Sequence, residues 1–277
     1  MPKEKADPML IAQLSDCHVS VPGEEFSNLY HTADRLTAAV RHVNESVNVP
    51  DLVFLTGDLV NSGLVAEYEL LREIIAEFKF PTYLLAGNHD DRDNLRQVFP
   101  DHDYLPRHGH LRYVVDGWPL KLICLDTNLP GKPQGLLGPE QLKWLDAELA
   151  AETRRRVIVF LHHPPFATGL VSMDGMGLVD AKAFAEVIGR HAHIERVLCG
   201  HLHRSIQRLM AGTLVQTCPS TSHQVQLLLG EKNELATVKE PPEYLLHYWH
   251  DTDGLVTHSD YIRDYTVAWN VKDGVQD

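Results

Sequence analysis

Five short runs in this chain carry side chains able to hold metal: Asp16-Cys17-His18, Gly57-Asp58, Gly87-Asn88-His89-Asp90, His162-His163 and Gly200-His201-Leu202-His203. Asp16 and His18 are two residues apart, as are His201 and His203. In an extended segment residues i and i+2 point to the same side, so each pair can face one metal while Cys17 and Leu202 turn away. A carboxylate with imidazoles suits zinc, manganese, iron or cobalt, and the absence of thiolate clusters argues against a structural cysteine site. Either pair alone could be a polar strand end. Both together, in this order with the other runs, are poorly explained that way.

Asp58 follows Gly57 and, taken alone, would be a turn residue. Beside the other motifs it is the carboxylate suited to bridge two ions, because bridging needs a short ligand that only accepts. Asn88 offers a neutral carbonyl oxygen to a metal, or else forms an Asx-turn, since Gly-Asn is turn chemistry. His89 cannot easily reach the same ion as its neighbour. It is better placed to meet substrate, as a hydrogen-bond donor to phosphate or a general acid to a leaving oxygen. Asp90 either orients His89 or caps the helix that follows. His162 and His163 are adjacent and point apart, so one is expected to be a ligand and the other to pack behind it.

Each motif sits at the end of an apolar run. Met9–Leu14, Leu52–Thr56 and residues 82–86 read as strands, with helices expected over 32–46 and 66–78; Thr32 or Asp34 would cap the first of these. Residues 111–115 and 120–126 read as strands around Asp116-Gly117. Gly138–Ala151 is a helix opened by Pro139, 157–161 a strand, 180–191 a helix and Ile194–Cys199 a strand. The β-α-β-α-β alternation predicts a sheet that is at least partly parallel. Ligands in such sheets bind at the carboxyl ends of strands, so all five motifs should meet at one rim. Residues 164–178 and 219–242 read as loops, apart from an apolar patch at 225–229. Residues 244–250 and 255–262 read as late strands around Asp253-Gly254. The final dozen residues show no pattern.

The 277 residues, 44% of them hydrophobic, suffice for one large core with an appendage. A net charge of −13 argues against nonspecific binding to nucleic-acid polymers, which depends on Lys and Arg neutralising phosphates. The four cysteines, Cys17, Cys124, Cys199 and Cys218, form no CxxC and read as small buried thiols, which suits a reducing compartment. Residues 1–8 are polar and show no signal peptide, and no apolar run is long enough to span a membrane. A soluble, cytoplasmic protein is expected.

The ordered motifs resemble the calcineurin-like metallophosphoesterase superfamily, whose pattern is DxH, GD, GNH[DE], H and GHxH. The resemblance runs from Leu10 to roughly His223. Within the superfamily the chain is similar to bacterial class III cyclic-nucleotide phosphodiesterases and glycerophosphodiesterases, through His162-His163-Pro164-Pro165, Leu125-Asp126-Thr127 followed by the helix from Gly138, and Thr221-Ser222-His223-Gln224-Val225. It implies an α/β fold, a four-layer α-β-β-α sandwich of two mixed sheets, with a metallophosphoesterase core over 9–218. Residues 219–277 would complete that core and supply cap or oligomer contacts.

The resemblance also implies one metal held by Asp16, His18, Asp58 and His203 and another by Asp58, Asn88, His162 and His201. His89 would contact phosphate and His223 the substrate. The ions would be manganese, iron, zinc or cobalt, lowering the pKa of a bound water toward about 7 so that hydroxide attacks phosphorus. Two divalent ions against two carboxylates and one hydroxide leave a single positive charge, which suits a diester monoanion better than a monoester dianion. The expected activity is hydrolysis of small phosphodiesters, 3′,5′-cyclic nucleotides first and glycerophosphodiesters second, in a homo-oligomer. A phosphomonoesterase or nuclease on the same core and a non-catalytic scaffold are the competing readings. A scaffold should have lost ligands, and none of the expected side chains is missing.

Overall fold

The computed structural model describes residues 8–230 and 234–266; residues 1–7 of the polar start and 267–277 of the final dozen lie outside it. In chain order the elements are β1 (Met9–Leu14), α1 (Glu25–Tyr30), α2 (Thr32–Glu45), β2 (Leu52–Thr56), α3 (Val65–Ile75), β3 (Thr82–Leu85), α4 (Arg92–Val98), β4 (Tyr113–Val115), β5 (Lys121–Cys124), α5 (Gly138–Ala151), β6 (Val157–Phe160), α6 (Val171–Asp174), α7 (Ala181–Ile188), β7 (Ile194–Cys199), β8 (Gln207–Met210), β9 (Thr213–Thr217), β10 (Gln224–Val225), β11 (Thr237–Val238), β12 (Glu243–His250) and β13 (Gly254–Tyr261).

One sheet has the order β13-β12-β1-β2-β3 and the other β4-β5-β6-β7-β9-β8, with β10-β11 as a separate ribbon. The strands β1, β2 and β3 run parallel, as do β5, β6, β7 and β9. Antiparallel strands close the edges: β12 and β13 on the first sheet, β4 and β8 on the second.

Strand side chains alternate between faces, and here both faces are buried. In β6, Ile158 and Phe160 join the core shared with the first sheet, whereas Val157 and Val159 pack with Leu145 and Leu149 of α5 and Phe184 of α7. Phe54 of β2 and Phe160 of β6 stack across the two sheets with ring centroids 4.2 Å apart. The helices α2 and α3 cover the outer face of the first sheet through Leu36, Val40, Tyr68 and Leu71. This is the expected four-layer sandwich. Truncating a leucine such as Leu145 in these layers would cost roughly 2–5 kcal/mol.

The helix starts differ in detail from the sequence expectation. His31, not Thr32 or Asp34, precedes the first turn of α2, and it holds a left-handed φ of 52° with no side-chain cap. The Thr32 hydroxyl instead accepts the Ser20 amide. Asp91, not Asp90, caps α4, accepting the amides of Asp93 and Asn94 at 2.9 Å. The segment 164–178 contains the single turn α6, and 219–242 contains the β10-β11 ribbon. The apolar patch at 225–229 is mostly not strand: Leu227 and Leu229 are 54% and 58% exposed. All four cysteines are buried and unpaired.

Candidate metal centre

The strands β1, β2, β3, β6 and β7 end on one rim, and each hands the chain to one of the five motifs. The backbone there is not extended. Asp16, His18, Asp58, His201 and His203 hold φ values of 52°, 46°, 47°, 71° and 50°. Asp16 and His18 do meet in one donor group, through left-handed turns rather than strand geometry, but the second pair divides: His203 joins Asp16 and His18, and His201 joins His162. Non-glycine residues pay roughly 1–2 kcal/mol for this conformation, and such strain persists only where surrounding bonds over-determine it. Here they do. The amides of Asp16 and His18 donate to the carbonyls of Gly57 and Asp58, and the His201 amide donates to both Asp16 carboxylate oxygens at 3.0 Å.

Two glycines bring backbone against the donors. A Cβ on Gly57, whose φ is +97°, would stand 2.3 Å from His162 Nδ1. On Gly87 it would stand 2.2 Å from Asp58 Oδ1. Neither neighbour can move without leaving the centre.

The donor atoms themselves test whether metals fit. His162 donates Nδ1–H to the Thr56 carbonyl at 2.8 Å, which leaves Nε2 as a lone pair. That lone pair faces Asp58 Oδ2 at 3.3 Å. His203 likewise donates Nδ1–H to the His223 carbonyl at 2.8 Å. Its Nε2 meets His18 Nε2 at 3.1 Å and Asp16 Oδ1 at 3.4 Å, and His18 Nε2 lies 3.6 Å from Asp58 Oδ2. Asn88 Oδ1, His162 Nε2 and His201 Nε2 are buried without a hydrogen-bond partner. In His162 and His203 the second nitrogen is committed to a carbonyl, and buried acceptors gathered this closely are satisfied by a cation between them. The residues present therefore fit metal.

The electrostatics agree. Burial would raise Asp58, but His162 and His89 hold it well below the usual carboxylate range. Burial would lower His162, but the Asp58 and Asp16 charges push it up to about 9, so without a metal a proton takes the cation's place. Burial, with His162 beside it, brings His201 down to about 3.

His163 turns perpendicular to His162, at 89° between ring planes. Both of its nitrogens are engaged, Nδ1 with the Thr127 hydroxyl at 2.7 Å and Nε2 with the Pro133 carbonyl at 3.2 Å. It packs behind the centre, as adjacency suggested. Asp90 neither caps α4 nor bonds the His89 ring. It is buried and accepts the Gly87 amide at 2.8 Å, the Leu59 amide at 3.2 Å and the Tyr68 hydroxyl at 2.9 Å, tying the Asp58 loop to the Asn88 loop. Burial, with Asp58 nearby, raises it to about 7.

His89 is exposed. Its amide donates to Asp58 Oδ1 at 2.9 Å and its Nδ1–H to the Asn61 carbonyl at 2.6 Å. Nε2 is thus left for another partner, beside the His18 ring at 4.6 Å. His223 is 5% exposed and lies 4.6 Å from the His203 ring. A cleft of about 210 Å³ opens over these histidines, walled by Phe26, Pro133, Met173, Met176 and Val225.

Sequence reasoning missed three supports. Phe26 and Tyr30 come from α1, whose six residues are too few for a periodic signal. The Asn128 amide bonds the carbonyls of both Gly87 and Asp90, the latter at 2.7 Å, bracing the turn that carries Asn88 and His89. Asp126, inside the Leu125-Asp126-Thr127 motif, is buried and pairs with Arg92, with Nη2 and Oδ1 at 3.0 Å. The motif signalled that segment, but not which contacts it makes.

A four-layer sandwich with Asp, Asn and His donors gathered on one rim defines a metal-dependent phosphoesterase. The chain belongs to the calcineurin-like phosphoesterase family, whose model matches residues 9–205. It is 35% identical over 255 residues to a probable glycerophosphodiester phosphodiesterase, GpdQ, of Arcobacter nitrofigilis, covering 92% of this chain and 93% of the relative. It is 34% identical over 214 residues to a probable cyclic nucleotide phosphodiesterase of Synechococcus, covering 77% and 81%. A cAMP/cGMP dual specificity phosphodiesterase of Mycobacterium tuberculosis is 30% identical, with coverage of 90% and 78%. Among solved structures, a dimetal phosphatase from Danio rerio shares the fold, with a TM-score of 0.68 at 15% identity over 93% of this chain and 98% of that one. No described helix is long and apolar enough to cross a membrane.

Proposed function

We propose that this protein is a binuclear metal-dependent phosphodiesterase acting on small diesters. Asp16, His18, Asp58 and His203 would hold one ion, and Asp58, Asn88, His162 and His201 the other. The observation that carries this reading is the gathering of buried donors on one another, His162 Nε2 3.3 Å from Asp58 Oδ2 and His18 Nε2 3.1 Å from His203 Nε2. Bound there, manganese, iron, zinc or cobalt would polarise a phosphoryl oxygen and acidify water.

The protein's own groups supply the rest. Asp58 faces donors of both sets and would be the carboxylate the two ions share. His89 directs Nε2 toward the substrate side and acts on phosphate or the leaving oxygen, the ring being doubly protonated when it donates from that atom. His223 borders the substrate. The carboxylates that hold the ions also leave little surplus positive charge, which suits a diester monoanion.

Two substrate classes are supported by the relatives: glycerophosphodiesters by the Arcobacter protein, whose match covers 92% of this chain, and cyclic nucleotides by the other two. No Lys or Arg stands among the described residues of the cleft wall, so a second phosphate on the substrate finds no cation there. In the same reading, 9–218 is the phosphoesterase core, and the region from 219 onward would complete it and supply cap or oligomer contacts, as β12 and β13 on the first sheet and Val225, Leu235 and Thr237 at the cleft support. The protein would be a cytoplasmic homo-oligomer, supported by its four unpaired thiols and the exposed Leu227 and Leu229.

The test compares bis-p-nitrophenyl phosphate with p-nitrophenyl phosphate in added Mn²⁺, then cyclic AMP, cyclic GMP and glycerophosphoethanolamine by kcat/KM. Faster hydrolysis of the diester is expected. A preference for the monoester would overturn the reading.

A further inference from the structure

Tyr30 closes α1 and is 9% exposed. Its ring stacks on the imidazole of His223, with centroids 4.2 Å apart and planes 23° from parallel. Its hydroxyl bonds Thr237 of β11, and β11 pairs with β10, the strand that begins directly after His223. Arg35 holds the Tyr30 carbonyl at 2.9 Å. On the other side of the imidazole, Nδ1 meets the Ser222 hydroxyl at 2.8 Å, and the ring edge meets Phe26 at 5.5 Å. The Ser220 hydroxyl, within 3.2 Å of Ser222, donates to the carbonyl of Asp16 at 2.8 Å. The segment that carries His223 is therefore tied to the Asp16 loop, and of the aromatic rings around the imidazole Tyr30 is the one that stacks face to face with it.

We propose that Tyr30 is a positioning residue that fixes the plane of His223 and so sets how that imidazole meets the substrate. The stack holds the plane of the ring, because the Ser222 bond leaves it free to tilt about Nδ1 and the His203 and Phe26 rings meet it at steep angles rather than face on. The hydroxyl bond to Thr237 anchors the tyrosine and not the histidine. The proposal rests on the reading of His223 as part of the substrate cleft. Neither Tyr30 nor its contacts belong to the donors that would hold metal.

The experiment is a double-mutant cycle in kcat/KM on bis-p-nitrophenyl phosphate and on cyclic AMP, with metal content measured for every variant. His223→Ala is expected to lower kcat/KM about tenfold, the scale of one lost hydrogen bond in a cleft. Tyr30→Leu keeps apolar bulk without the stack and is expected to lower it about threefold to tenfold. Tyr30→Phe keeps the ring and is expected to stay within about twofold of the natural protein. If Tyr30 acts through His223, the double variant falls no further than His223→Ala, within about twofold. Two metals per chain are expected throughout.

The proposal is overturned if the losses multiply, if Tyr30→Leu leaves kcat/KM unchanged, if Tyr30→Phe falls as far as Tyr30→Leu, or if Tyr30→Leu loses metal. Unchanged kinetics in His223→Ala would instead remove the cleft reading of His223, and the positioning role with it.

Discussion

His162 Nε2 lies 3.3 Å from Asp58 Oδ2, and its other nitrogen donates its N–H to the Thr56 carbonyl. Two buried acceptors at that distance repel unless a cation or a further proton joins them. That pair makes the metal reading the one most open to direct measurement.

Asp58→Ala removes the carboxylate that faces both donor sets. Elemental analysis is expected to show loss of binuclear occupancy, with turnover nearly abolished. Asn88→Ala removes a neutral oxygen and is expected to retain more metal. Two metals per chain in Asp58→Ala with near-normal activity would refute the bridging assignment, and equal loss in both variants would refute the ranking.

His89→Ala is expected to leave metal content intact and to reduce kcat by roughly 10²–10⁴-fold if the ring acts as an acid. A general acid matters most for a poor leaving group, so the loss should shrink with a p-nitrophenyl diester and grow with an alkyl diester. Equal losses on both would assign His89 to phosphate stabilisation.

Removing the metals should destabilise the fold. A ligand at a hundred times its Kd contributes about 2.7 kcal/mol, and here the ions would also relieve the repulsion among Asp16, Asp58 and the imidazole lone pairs. Thermal melts of chelator-treated protein are expected several degrees lower, restored by Mn²⁺ or Zn²⁺. An unchanged Tm, with metal shown to have left, would mean that the centre holds no metal of consequence.

Asn128→Ala leaves the Gly87 and Asp90 carbonyls without the amide that braces them. The cost should be about 1–3 kcal/mol of stability, together with roughly 10–100-fold in metal affinity or kcat, the range for outer supports of a metal site. Calorimetric metal titration alongside denaturant unfolding checks both. Full stability with natural metal affinity would show the brace to be redundant.

A homo-oligomer is expected at micromolar concentration, with Leu227 and Leu229 in or near its contacts. Sedimentation showing a monomer would remove the assembly from the proposed function.

The motifs and the strands before them were legible because buried parallel strands are short, continuous apolar runs, as Leu52–Thr56 and Ile194–Cys199 are. Other elements carry no such run. The strand β8 is Gln207–Met210, largely exposed, and it turns into β9 through Ala211-Gly212, both at positive φ. Nothing in Met-Ala-Gly-Thr marks that turn as Asn-Gly would. The left-handed backbone at Asp16 and His18 was invisible because it is held by bonds to the Gly57 and Asp58 carbonyls, not by local preference. Asp90 and Asp91 are the same residue type side by side; only the turn after Gly87 decides that the first goes inward and the second caps α4. Tyr30 carried no signal at all, since what it stacks on lies almost the whole chain away.

The central position of β1 has a consequence for how the protein is made. Asp16 and His18 follow a strand whose two neighbours are β2, close behind, and β12, at Glu243–His250. Until those last residues emerge, one edge of β1 has no hydrogen-bonding partner, and the loop that follows it lacks Thr221, Ser220 and the His201 amide. Contacts of such long sequence separation form late. A donor group that joins Asp16 to His203 therefore cannot form before residue 203 emerges, and a ribosome-bound chain stopped before residue 243 should present an open sheet edge to chaperones.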